Sequence, residues 1–168
     1  MRRRKQAEYE YCPATEDKPQ ADDETILHLS LEGILPPGHI LAVHPYLGIL
    51  AHLSCDSEGP RLLRVQRFSA TEMCLLLPLL QQHPAYCPYE VLLAHFTSAR
   101  VTEETITRAR EQLYEAQEAG LWDGMIRPIR NVLSRARSRL SNLGIGVVSM
   151  LVIGYMLKPL PRRQTKVE

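Results

Sequence analysis

No two cysteines in this 168-residue chain are spaced as a CxxC pair; Cys12, Cys55, Cys74 and Cys87 are scattered. The best metal-like spacing, His52 to Cys55, has no second pair to complete a zinc set. The cysteines therefore read as free thiols in a reducing compartment. No apolar segment follows the N-terminal "MRRRKQAEYEY", so a secretory leader is not expected and the protein reads as cytoplasmic. No internal repeat, phosphate-binding loop, metal cluster or nucleophile–base pair stands out. The expectation is a protein that is not an enzyme and takes no cofactor.

Acidic residues are scarce in one place. Residues 126–168 hold nine basic side chains and one acidic, whereas residues 71–125 hold three basic and eight acidic. The formal net charge of +1 hides this asymmetry. A basic quarter points to a polyanion or a membrane surface.

What is present falls into segments. Residues 1–24 are polar with charges of both signs and read as a flexible tail. From Thr25 short β-leaning runs follow: "TILHLSLEG", "GHILAVH", "LGILAHLSC" and "PRLLRVQRF". Each is bounded by Gly, Pro or the turn material of "CDSEGP", which predicts a small antiparallel sheet over 25–68. At "SATE" the period changes. Ser69 lies three residues before Glu72, a capping box opening a helix with Met73, Leu76, Leu77 and Leu80 at helical spacing. Pro78 inside that run removes a backbone donor and predicts a kink. Pro88 suits the first turn of a second helix, "PYEVLLAHF". Thr102 caps an acidic third helix over 102–119, with Ile106, Ala109, Leu113, Ala116 and Leu121 as its apolar stripe.

A fourth helix is predicted over 126–142. Ile129, Leu133, Ala136 and Leu140 form its apolar stripe, and Arg127, Arg130, Arg135, Arg137 and Arg139 appear with no acid among them. Arg130, Ser134 and Arg137 fall on a neighbouring face at spacings of four and three, flanked by Asn131 and Arg135. Arg bonds guanine bidentately and Asn bonds adenine in the major groove, and further arginines neutralise phosphates. A solvated basic face is the plain alternative.

The run Leu140–Leu157 carries no charge for eighteen residues and lies between Arg139 and Lys158. That length is compatible with a membrane span. Against it, the arginine helix consumes the start of the run, and three glycines with β-branched neighbours suit a hairpin.

The order of motifs resembles the OmpR/PhoB-type DNA-binding domain over residues 44–160. "FSATEMCLLLPLLQQHP" is similar to that family's first helix and its His-Pro ending. "CPYEVLLAHF" is similar to its second helix, "LSRARSRL" lies where its recognition helix belongs, and Gly154-Tyr155 matches its closing hairpin. The resemblance implies an α+β fold, a winged helix-turn-helix. It would have an N-terminal antiparallel β-sheet, three core helices plus an inserted helix, and a C-terminal β-hairpin wing. This domain would span 25–160, with a basic tail over 161–168 and no complete receiver domain before it.

The function implied is sequence-specific binding of double-stranded DNA by a transcription regulator. Arg130, Asn131, Ser134 and Arg137 would face bases, and Arg127, Arg135 and Arg139 would hold phosphates. A homodimer is compatible with this reading. The acidic helix 102–119 is a candidate contact for RNA polymerase or another partner, and equally a packing element. Three departures stand out: the inserted helix, Pro78, and the wing sequence "MLVIG", which has no cation where the family carries an arginine. Two other readings stay open. One is a tail-anchored membrane interaction protein; the other is a winged helix used for protein contact without DNA.

Overall fold

The structure, a computed structural model, describes residues 25–161. The polar tail expected over 1–24 and the basic tail after Pro161 lie outside the described residues.

The fold is α+β. Four strands come first: β1 (Leu27–Leu29), β2 (His39–His44), β3 (Ile49–Asp56) and β4 (Gly59–Arg67). They form an antiparallel sheet in sequential order, as short loops between neighbouring strands dictate. Alternation sends Leu41, Val43 and Leu50 to the inner face, where all three are fully buried. Leu41 pairs with His52 and Val43 with Leu50 in the register. Gly48 makes the β2–β3 turn at φ +66°, where an added Cβ would lie 2.2 Å from the Phe68 carbonyl oxygen.

Helix α1 (Ala70–Gln82) starts on the expected capping box. The Ser69 hydroxyl accepts from the Glu72 amide at 3.2 Å, and Glu72 Oε2 accepts from the Ser69 amide at 2.8 Å. Pro78 does not end this helix. Every residue from Glu72 to Leu80 is buried, so packing on all sides holds the turn that lacks the Pro78 donor.

A two-residue strand, β5 (Cys87–Pro88), leads into α2 (Tyr89–Thr97). Helix α3 (Glu103–Glu118) carries the expected cap, with Thr102 Oγ1 accepting from the Thr105 amide at 3.3 Å. Its buried stripe is Ala109, Leu113 and Ala116, with Ile106 half-buried. Leu121 is not part of it: it lies beyond the helix end, 64% exposed.

Helix α4 (Trp122–Asn142) is 21 residues long and starts earlier than the expected 126. Pro128 sits inside the second turn of this helix. Ile126, Ile129, Val132, Leu133, Ala136 and Leu140 are buried against α1, α2, α3 and the sheet.

The eighteen-residue uncharged run divides into four parts. It is the end of α4, a turn at Leu143–Gly144, strand β6 (Ile145–Met150), and strand β7 (Gly154–Pro159) after a three-residue tip. Strands β5, β7 and β6 form a second, three-stranded sheet. No helix among the described residues is long and apolar enough to cross a membrane.

Candidate nucleic-acid interface

The buried stripe of α4 fixes where its other side chains go. At 3.6 residues per turn, Arg127, Asn131, Ser134 and Ser138 line up opposite the core. Arg135 borders that stripe on one side. Arg130 and Arg137 border it on the other, nearer the hairpin. All seven of these side chains are exposed.

Three arginines are unengaged. Arg127, Arg135 and Arg137 make no ion pair or hydrogen bond with another described residue. Arg130 is partly held. Its Nη2 lies 3.5 Å from Asp123 Oδ1, an exposed pair of small energetic weight. Tyr155 is pushed above its ordinary pKa by burial first and by Tyr89 second, and Arg130 opposes that rise.

Arg139 is where the sequence reading needs correction. It was expected to hold a phosphate, but it points into the protein. Its Nη2 pairs closely with Glu72 Oε1, its Nη1 donates to the Arg67 carbonyl at 2.7 Å, and its guanidinium lies 4.9 Å from the Phe68 ring centroid. Glu72 is 5% exposed. A carboxylate removed from water needs a charged partner, and Arg139 is that partner. One signal for this was present in the sequence: Glu72 stands alone in an otherwise apolar run, and its desolvated charge has to be met by something.

The hairpin lies at the N-terminal end of α4. Strand β6 packs on α4 and leaves its C-terminus in the opposite direction. Tyr89 stacks edge-on against Trp122 at 5.4 Å and against Tyr155 at 5.7 Å. The Tyr89 amide donates to the Ile153 carbonyl at 3.0 Å. The tip residues Leu151, Val152 and Ile153, the start of α4 and Arg130 therefore share one end of the molecule.

The acidic residues of α3 lie on its solvent side. Glu103, Glu104, Glu111, Glu115 and Glu118 are all exposed. The helix is tied to α2 by an Arg110–Glu90 contact at 3.5 Å.

Away from α4, a second polar group lies on the inner face of the first sheet. His39 Nδ1 and His52 Nε2 are 2.8 Å apart, with Arg64 opposite His52 in the register. This group opens into a cleft of about 1500 Å³ that also touches Glu32, Ser141 and Asn142. Burial, then His39, then Arg64 lower the His52 pKa. No cluster of three or more His, Cys, Asp or Glu side chains suited to a metal occurs among the described residues. The Cys87 thiol is pushed up to about 12, by burial first and Glu90 second, which makes it a poor nucleophile.

Compared with known proteins, the chain matches no family model, no curated protein and no solved structure.

Proposed function

We propose that this chain is a winged helix-turn-helix protein that binds double-stranded DNA through α4 and regulates transcription. The observation that carries the reading is the outward face of α4. Arg127, Asn131, Ser134 and Arg135 line it, Arg137 borders it, and three of these arginines have no partner within the described protein. Unpaired guanidinium groups on a rigid helix are ready to meet phosphates and base edges without first breaking internal contacts.

The order of elements supports the same reading. A four-stranded sheet, α1, β5, α2 and a basic helix followed by a β-hairpin is the order expected of such a domain. Helix α3 is the inserted element. Asn131 and Ser134 face base edges, Arg127, Arg135 and Arg137 hold phosphates or guanine, and Arg130 joins them once released from Asp123. Arg139 takes no part.

A salt titration of binding to duplexes selected from a random pool tests this. Each phosphate contact contributes a slope of about −0.9 to log K against log salt. Four available arginines on α4 predict a slope of roughly −3 to −4. Arg135→Ala and Arg137→Ala each flatten it by about one contact. A flat salt dependence, or unchanged affinity in both variants, defeats the proposal.

A further inference from the structure

We infer that the hairpin tip Leu151–Val152–Ile153 is an apolar wedge that enters the minor groove beside the α4 site and opens a base step. This rests on the DNA-binding reading above and extends it to a shape-dependent contact.

Three observations converge on the tip. Leu151 is 87% exposed, Val152 51% and Ile153 46%, a contiguous aliphatic surface at the end of a narrow hairpin. Val152 has φ +63°. Glycine or asparagine occupies that left-handed region at little cost, whereas a β-branched residue there is strained by on the order of 1–3 kcal/mol. The local turn would be better served by glycine, and a valine stands there at a cost to the turn. The tip also shares one end of the molecule with the start of α4, through Tyr89, Trp122, Tyr155 and Arg130.

The size of the tip selects its occupant. A standard protein–protein interface removes about 800 Å² from each partner. Three aliphatic side chains at a hairpin end offer far less than that. They do match the minor groove, which is about 6 Å wide and is where apolar side chains wedge between base pairs. The arginines of α4 bring the polyanion to the helix face beside the tip. Without a cation or a polar group, the tip side chains have no favourable contact with phosphate; insertion between bases is a contact that their chemistry allows.

The energetics set the sequence preference. Unstacking a step costs a few kcal/mol, and burying a leucine side chain returns about 1.5–3 kcal/mol. The balance is close, so the wedge works where unstacking is cheapest. Those places are the pyrimidine–purine steps, TA and CA/TG. Selected binding sites should carry such a step at a fixed distance from the α4 contact.

The test uses the full chain and a selected duplex carrying end-label fluorophores, with 2-aminopurine at the pyrimidine–purine step. Wild-type binding should shorten the end-to-end distance and raise 2-aminopurine emission. Leu151→Ser combined with Ile153→Thr should lose both signals and about tenfold in affinity, the order expected for one buried leucine. Its salt slope should stay that of wild type. Val152→Gly relieves the left-handed strain, so it should fold at least as stably, while losing part of the bend with one of the three wedge side chains; a full bend there would overturn the part given to the valine. Wild type that binds with a steep salt slope but leaves the DNA straight and stacked overturns the wedge and leaves the α4 reading standing. An unchanged bend in the double variant also overturns it. Failure of wild type to bind any duplex at low salt overturns both.

Discussion

Five arginines lie on α4, and their surroundings separate them into different jobs. Arg139 and Glu72 form a part-buried pair that ties the C-terminal half of α4 to the first turn of α1. Arg139→Ala leaves the Glu72 carboxylate with the Ser69 amide alone, so urea unfolding should show a loss of about 3 kcal/mol. Arg135→Ala touches nothing inside the protein and should stay within about 0.5 kcal/mol of wild type. Equal losses in the two variants would contradict the division between structural and DNA-facing arginines. Histidines give a second test at this scale. Burial, His39 and Arg64 hold the His52 pKa below 6.5, and burial does the same for His95. The unfolded chain then takes up protons first as pH falls. Stability should be level above pH 6.5 and decline as pH drops below it, until the folded-state values are passed. Urea unfolding between about pH 7.5 and pH 5 checks this, with a His52→Gln, His95→Gln double variant expected to flatten the decline. A decline of the same size in the double variant would place its origin elsewhere.

At the scale of elements, the second sheet depends on close backbone approach at Gly154. A Cβ there would lie 2.0 Å from the Cys87 carbonyl oxygen and 3.0 Å from Pro88 Cα. Gly154→Ala should therefore break the β5–β7 pairing and loosen the hairpin, with a loss of more than about 2 kcal/mol and weaker protection of the Tyr89 amide against hydrogen exchange. Normal protection in that variant would show that the strand can move aside. Elements with a strong local signal were legible in the sequence. Ser69 and Thr102 announced their helices through capping, and the stripe Ile129, Leu133, Ala136, Leu140 marked the inward face of α4. What was not legible depended on distant partners. The strand β5 has two residues and exists only because Gly154 lets β7 come close. The first turn of α4 was hidden because Trp122 is held from outside the helix by Tyr89, a contact that the apolar spacing from Ile129 onward does not reveal. Of the seven expected interface residues, the six from Arg127 to Arg137 lie exposed on α4, and Arg139 was misread because its partner is 67 positions away in sequence.

For the whole molecule, the separation of charge sets how a duplex arrives. Helix α3 carries five exposed glutamates and packs beside α4, so a negative surface adjoins the positive one. A duplex approaching α4 feels attraction from Arg127, Arg135 and Arg137 and repulsion from the α3 side. The balance of these two helices sets the rate of encounter. Glu111→Gln with Glu115→Gln weakens the repulsive side without touching the α4 face. Association with the selected duplex should become severalfold faster at low salt, with dissociation unchanged, because a charge outside the contact acts mainly on encounter. The gain should fade near 0.15 M salt, where the Debye length is about 8 Å and charges one helix away are screened. Stopped-flow association across a salt series reads this directly. A gain that persists at high salt, or a change in the dissociation rate, would mean that α3 lies within the contact and that the duplex is not seated on α4 alone.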